Sequence, residues 1–544
     1  MRSDIASPPP SNPDLRRLTD LRSGVRSQPL RGPRSGLARR TGGRWRRRCP
    51  AVALVGISLT LLTLAWSMTS LPFSAPDEAP HYLRALSIAN GNLLGPHVRY
   101  PVGGFTPLAE AFVQADTRGV LTPARLSPLG VACVNGRPDT GPGRCVEATP
   151  TGDYYPLGYL APAVAIGLSR NVGTASWVGR VASAAVATAF IVLALMLLWS
   201  GTGWSLLGPS LAITPMVLFV DSVINPSGFE IAACLAFAAA ILRVARDPDG
   251  PPRWVWASAA LSGTAAILAW QAGPAFVAAD LVLLAGLVGR AGLRRLFRSR
   301  RIEVVGVVTA LLAAVVTYAA YAGISGVAHT PFGIHPVIAS LHAGVDQLPQ
   351  ILRGAVGSFA SLTIDLPTWA YWLWWLLALG LGIISLWLGT ARERVMLAAA
   401  VAFALIFPVL SYAWVQRHSG FGMQGRYVLP VLMLVPLLAG EILRRRMEDY
   451  GTHSVAVWTA RAGFTLVALF QAYAWWTNAR ISSGNPSAVS FYAHAAWVPP
   501  LGWLPWILIA ALGALGLVAC AAIPLNREVS LSEPSFAKPT PIDA

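Results

Sequence analysis

The sequence predicts an all-α polytopic membrane protein with about twelve transmembrane helices, and three observations carry that prediction. Of its 544 residues, 54% are hydrophobic and only 12% charged, which is too apolar for a soluble chain of this size. Apolar runs of about 20 residues recur along the chain, each long enough to cross a bilayer. Short Arg-rich loops alternate with loops that hold almost no Arg. The formal net charge of +17 does not point to nucleic acid, because the basic residues lie between apolar runs and 13 of them fall in the first 50 positions. The five cysteines form no CxxC pair and have no zinc or iron–sulfur spacing.

Residues 1–50 are rich in Pro, Ser, Gly and Arg without apolar periodicity, so they are expected to form a disordered cytoplasmic tail. Residues 51–71 are read as a retained span rather than a signal peptide, since no small-residue cleavage site follows. This places the first loop, 73–155, outside. The segment 156–169 is short for a span. If it crossed, the short loops at 243–253, 290–301, 392–394 and 444–446, with 14 Arg between them, would face outward, against three Arg in the short loops opposite. The positive-inside rule therefore lays 156–169 along the outer interface. The expected spans are 51–71, 177–199, 206–223, 227–244, 254–270, 271–289, 303–324, 369–390, 395–415, 427–443, 455–478 and 504–524. They make one membrane domain over 51–524, with a second outer loop at 325–368 and a cytoplasmic tail at 525–544. Both termini are then cytoplasmic.

The stretch Pro76-Asp77-Glu78-Ala79-Pro80-His81-Tyr82-Leu83-Arg84 follows the first span directly. Pro76 suits a first helical residue, which puts Asp77 and Glu78 in the first turn of an amphipathic helix that Asn90-Gly91 can stop. Two readings fit these carboxylates: one takes a proton from an acceptor hydroxyl while the lipid part of a substrate stays in the bilayer, or both merely cap an interfacial helix. Asp221, Asn225, Glu230, Asp365, Gln424 and Arg426 all fall at outer span ends on this topology, so a shared polar cavity is expected there. Arg426, between Gly425 and Tyr427, suits a lipid phosphate, although a snorkelling Arg explains it too. Trp369, Trp372, Trp374 and Trp375 read as an aromatic belt. Cys133 and Cys145 share the outer loop and are expected to form a disulfide.

Pro76-Asp77-Glu78 with its following helix, Tyr154-Tyr155-Pro156-Leu157-Gly158-Tyr159, and Thr214-Pro215 leading to Asn225-Pro226-Ser227 resemble GT-C glycosyltransferases, polytopic enzymes that use lipid-linked sugars. The segment from Pro76 through Gly91 to Pro96-His97 looks like the first loop of the lipid A aminoarabinose transferase and protein O-mannosyltransferase group. Asp365-Leu366-Pro367, Gln424-Gly425-Arg426-Tyr427 and Trp497-Val498-Pro499-Pro500 look more like an uncharacterised bacterial family of predicted membrane proteins related to GT-C enzymes.

The resemblance implies an inverting transfer of sugar from a polyprenyl-phosphate donor to an envelope glycan or protein acceptor at the outer face of the cytoplasmic membrane. It implies Asp77 as general base and Glu78 as its partner, either positioning the acceptor or holding a divalent cation. His81, Arg84, Tyr155, Asn225, Asp365, Gln424, Arg426 and Tyr427 are the expected substrate-binding residues. Asn225 stands where aminoarabinose and mannosyl transferases often carry an acid. A flippase of lipid-linked glycans would also need an outer cavity and an Arg for phosphate but not a carboxylate pair on a loop helix, and the Asn225 departure supports a non-catalytic envelope-assembly protein that keeps a degenerate GT-C fold.

Overall fold

The computed structural model describes residues 49–95, 118–123, 126, 144–247, 250–325, 335–419, 422–450, 454–487 and 489–525. The expectations for the terminal tails, for Pro96-His97 and for Cys133, together with the side chain of Cys145, lie outside the described residues.

The described chain is almost wholly helical, and it is a multi-pass membrane protein. Among the described residues, nine helices are long and apolar enough to cross a membrane, and a tenth span is a broken pair. Each of the twelve expected spans is helical, although 206–223 is the broken pair and 427–443 is divided among a 3₁₀ turn and two helices. The two that fall short of that test are Arg253–Ala269, with 17 residues, and Ser454–Ser482, which carries Arg461, Gln471 and Arg480. The expected count of twelve is therefore approximate.

Helix α1 (Cys49–Thr69) has several hydroxyls, and each finds a partner within its own turn. Ser58, Thr63, Ser67 and Thr69 donate to carbonyls four residues back, so these hydroxyls are met within the helix. Then come α2 (Glu78–Ala89) and an antiparallel hairpin of β1 (Arg118–Pro123) with β2 (Arg144–Thr149), in which Thr122 lies opposite Cys145. A 3₁₀ turn (Pro156–Tyr159) leads into α3 (Leu160–Gly167). These twelve residues rise too little to cross about 30 Å of hydrocarbon. Instead Tyr159 and Ile166 pack with Tyr82 and Leu86 of α2 and with Ala175 of α4 (Val172–Leu198).

The broken span consists of α5 (Trp204–Ala212) and α6 (Pro215–Asp221), bent by 66°. Pro215 cannot donate into the helix before it, and the Thr214 side chain caps α6 by accepting from Val217 N at 3.4 Å. Its hydroxyl also donates to Ala355 O at 2.8 Å, which ties the bend to a later helix. Next are α7 (Pro226–Arg246), α8 (Arg253–Ala269), α9 (Gly273–Ser299, kinked at Gly289) and α10 (Arg301–Ser325). The expected second outer loop contains a 21-residue helix, α11 (Val337–Gly357), closed by a short hairpin of Ser358–Phe359 with Ile364–Asp365. The chain ends with α12 (Thr368–Leu388), α13 (Ala391–Ser419), a 3₁₀ turn (Gly425–Val428), α14 (Leu429–Leu432), α15 (Leu434–Tyr450), α16 (Ser454–Ser482) and α17 (Trp503–Ala519).

Small residues set the helix spacing. A Cβ on Gly208 of α5 would lie 2.7 Å from Pro436 O, and one on Gly513 of α17 would lie 2.9 Å from Ser58 O of α1. Only glycine admits backbones that close. Not all of the expected aromatic belt is exposed: Trp369 and Trp372 are, whereas Trp374 is buried and packs its ring on Phe470 at 4.9 Å.

At the end of the bundle remote from Asp77, buried Glu441 accepts from Arg246 at 2.6 Å, from Arg444 at 2.7 Å and from Arg445 at 3.0 Å. Glu448 accepts from Ser200, Thr202 and Arg444, and Glu393 from Arg446. The arginines that the sequence offers as a topology signal thus also clamp α7, α13 and α15 together.

Candidate functional site

Helix α2 brings its two carboxylates to different partners. Glu78 is buried, and both of its oxygens accept from Arg180 of α4, each at 2.6 Å. Arg180 spends its remaining donors on the carbonyls of Ser67, Ser70 and Leu71, at 3.1, 2.7 and 2.8 Å. A fork–fork pair buried this completely is a tie between α2, the end of α1 and the start of α4. Both Glu78 oxygens are engaged in that tie.

Asp77 stands outside the helix it was expected to open. It occupies the N-cap position with φ 60, in the left-handed region that a non-glycine residue enters only when its surroundings hold it. Asn225 supplies part of that hold: its Nδ2 donates to Pro76 O at 3.2 Å while its Oδ1 caps α7 through Ser227 N at 2.9 Å. The asparagine at the place of an expected acid therefore braces the turn that presents Asp77. The Asp77 side chain is 47% exposed and accepts a hydrogen bond from Nη2 of Arg426, which is 1% exposed.

Arg426 reaches Asp77 because Gly425 lets its turn lie on α11. A Cβ at Gly425 would collide with Ala355 N, Gly354 C and Ile351 O. Arg426 Nη2 also donates to the Tyr427 hydroxyl at 2.8 Å, and its guanidinium lies 4.7 Å from the centre of that ring. Its Nε and Nη1 are buried and have no hydrogen-bond partner among the described residues, and the same holds for Gln424 Oε1. Three N–H donors therefore remain for an anion, and leaving them unmet is costly.

The rest of α2 faces a tyrosine cluster. His81 Nδ1 and the Tyr159 hydroxyl share a hydrogen bond of 2.8 Å. Burial pushes the His81 imidazole down to about 3. Burial also raises the Tyr154 and Tyr159 hydroxyls well above their ordinary value. Arg84 is buried and donates to Tyr154 O through Nε at 3.2 Å and through Nη2 at 2.8 Å, and to the Tyr321 hydroxyl at 2.9 Å. Tyr155 packs against Tyr321 at 5.0 Å and Tyr318 at 6.1 Å. Trp270 lies on Tyr427 with ring centres 4.6 Å apart.

The structure thus joins Asp77, Arg426 and Tyr427 directly, with His81, Arg84, Tyr155 and Asn225 around them. Asp365 is exposed and accepts from Ser358 at 2.7 Å, closing its own hairpin. Asp221 and Glu230 are buried among the helices, each 1% exposed, rather than opening on a shared outer cavity. Arg180 was missed in the sequence. Its signal was a single arginine within an otherwise apolar run, which is expensive unless paired. Trp270, Tyr318 and Tyr321 sit at ordinary span ends, and nothing in the sequence set them apart.

The model of a family described as Predicted membrane protein (DUF2142) matches residues 60–435. No curated protein matches the chain. Among solved structures, the chain is similar to the crystal structure of ArnT from Cupriavidus metallidurans in the apo state, with 15% identity and a TM-score of 0.34 over 68% of this chain. It spans 66% of that chain, and a likeness at this level carries no functional argument.

Proposed function

We propose that this chain, which belongs to the DUF2142 family of predicted membrane proteins, is a GT-C-type glycosyltransferase that moves a sugar from a polyprenyl-phosphate donor to an acceptor hydroxyl. The observation that carries the reading is the Asp77–Arg426 pair, a half-exposed carboxylate beside a buried guanidinium with donors to spare. The acceptor oxygen forms a bond to the anomeric carbon as its proton passes to Asp77. The anomeric carbon–phosphate oxygen bond breaks, and its electron pair leaves with the phosphate. Inversion follows from a single displacement. The leaving phosphate is weakly basic, so it needs charge stabilisation more than a proton, and Arg426 Nε and Nη1 supply it. Glu78 holds α2 on the bundle and Asn225 holds the Pro76 turn, which keeps Asp77 pointed at the acceptor.

The orientation belongs to the same proposal: Asp77 faces the outside of the cytoplasmic membrane and both termini face the cytoplasm, supported by the 14 to three division of arginines among short loops. A lipid-linked hexose incubated with the purified chain and an envelope acceptor should give glycosylated product with the wild type and none with Asp77→Asn. A flippase predicts transport without product and indifference to Asp77→Asn, and that outcome would displace the transferase reading.

A further inference from the structure

Gly289 breaks α9 with φ 66 and ψ 177, a backbone conformation essentially reserved for glycine. Arg392 of α13 closes the break, its Nη1 donating to Val288 O at 3.4 Å. Beyond it, residues 290–299 form a helical segment of their own whose faces differ. Leu296 is buried in the core of the bundle. Arg290, Arg294 and Arg298 recur every fourth residue and make one exposed stripe. Leu293 and the 51% exposed Phe297 lie beside that stripe, and the five side chains line one open groove. Glu303 is the one acid between positions 281 and 345, and it pairs with Arg253 and Arg300 instead. Among the described residues the three arginines of the stripe have no carboxylate partner.

We propose that this groove holds an anionic phospholipid of the surrounding membrane, with the headgroup phosphate on the arginine stripe and an acyl chain against Leu293 and Phe297. The position suits the boundary of a bilayer. Before the break α9 carries exposed Val282, and after the segment α10 carries exposed Ile302, Val305 and Val308, apolar surface that suits hydrocarbon. Where such spans end, arginines beside apolar side chains stand at headgroup depth. A guanidinium offers phosphate two parallel N–H donors, and the spacing of the stripe lets neighbouring arginines share one headgroup. A nucleic acid or an acidic protein would meet the arginines and leave Leu293 and Phe297 in water. A zwitterionic lipid would cover the apolar pair and bring its own cation to the stripe. A lipid of net negative charge satisfies both halves of the groove. Neither contact requires the chain to be a transferase.

The test releases the full chain from nanodiscs of equal parts phosphatidylglycerol and phosphatidylcholine into native mass spectrometry, which counts the lipids each molecule keeps. An arginine at an anionic surface favours the charged lipid about fivefold, so the wild type should keep phosphatidylglycerol over phosphatidylcholine by at least about that ratio. Arg290→Gln, Arg294→Gln and Arg298→Gln combined should lower the ratio about fivefold or more. Arg295, Arg300 and Arg301 stay in that variant and keep the loop on its side of the membrane. A control that removes the same charge from exposed arginines elsewhere, Arg170→Gln with Arg353→Gln and Arg394→Gln, should leave the ratio unchanged. Phe297→Ser should lower the phosphatidylglycerol retained, because the acyl chain loses its partner. A wild-type ratio near one, an equal fall in both triple variants, or full retention in Phe297→Ser would overturn the proposal. Displacement of the lipid by a short RNA would assign the stripe to nucleic acid and overturn it as well. Should the triple variant fail to fold, the three single changes, each at an exposed side chain, read the same fall in steps, and no fall in any of them removes the site.

Discussion

The buried guanidinium of Arg426 donates to the half-exposed carboxylate of Asp77, a residue 349 positions earlier in the chain. A base and a phosphate ligand held in one pair should fail differently. Asp77→Asn keeps shape and hydrogen bonding and removes the proton acceptor, so turnover should be abolished while donor binding stays nearly intact. Arg426→Lys keeps the charge and loses the planar fork, so donor binding should weaken by about 1.5–3 kcal/mol, the scale of a charged hydrogen bond, along with turnover. Donor titration and product formation on both variants separate the roles. An active Asp77→Asn protein removes the base.

Glu78 and Arg180 should behave as a structural pair whose halves are unequal. Arg180→Met leaves a buried carboxylate and three carbonyls unmet, and should cost about 3–5 kcal/mol. Glu78→Leu should cost less, since Arg180 keeps its three carbonyl partners. Adding Glu78→Leu to Arg180→Met removes the stranded charge and should recover part of the loss. Melting temperatures in detergent give the comparison. A double variant less stable than Arg180→Met alone would contradict this account.

Gly425→Ala should destabilise the protein by about 1–3 kcal/mol, the usual cost of forcing atoms into a filled space. The new methyl would meet the backbone of Ile351, Gly354 and Ala355, which cannot rotate away as a side chain can. Because Gly425 adjoins Arg426, donor binding should weaken as well. Gly323→Ala is the control, since nothing lies within 4 Å of its added carbon. Equal melting temperatures for the two variants would show that the close approach at Gly425 is not needed.

The sequence made the long apolar helices legible because the bilayer demands about 20 apolar residues per crossing, whereas the count of twelve is approximate, since nine helices and one broken pair among the described residues meet that demand. It hid α11, where His342, Asp346 and Pro349 break the apolar pattern and a helix packs on α13 through Gly344 instead. Asp77 and Arg426 could be placed on one face from topology alone. Periodicity shows which stripe of a helix is apolar but not which stripe meets which, so it could not tell that Arg426 belongs to Asp77 and Arg180 to Glu78. For the same reason it treated the adjacent carboxylates as partners in chemistry, when the left-handed turn at Asp77 sends one outward and the helix sends the other into the core. Backbone conformation at a single residue divides the two roles, and composition holds no trace of it.

The His81–Tyr159 contact should make stability fall on mild acidification. His81 is 4% exposed, and burial holds its imidazole near 3 against an ordinary 6.5. Between those values the unfolded chain binds a proton that the folded chain refuses. The stabilisation is therefore complete above about pH 6.5 and drains away as pH falls toward 3. At about 1.4 kcal/mol per unit, the drop from pH 6.5 to pH 5 costs roughly 2 kcal/mol. The melting temperature of the wild type should accordingly be lower at pH 5 than at pH 7. His81→Gln can keep a hydrogen bond to the Tyr159 hydroxyl but has no proton to gain, so its melting temperature should change less over the same interval. If the two proteins lose stability in parallel, the pH dependence arises elsewhere and the buried imidazole is not its source.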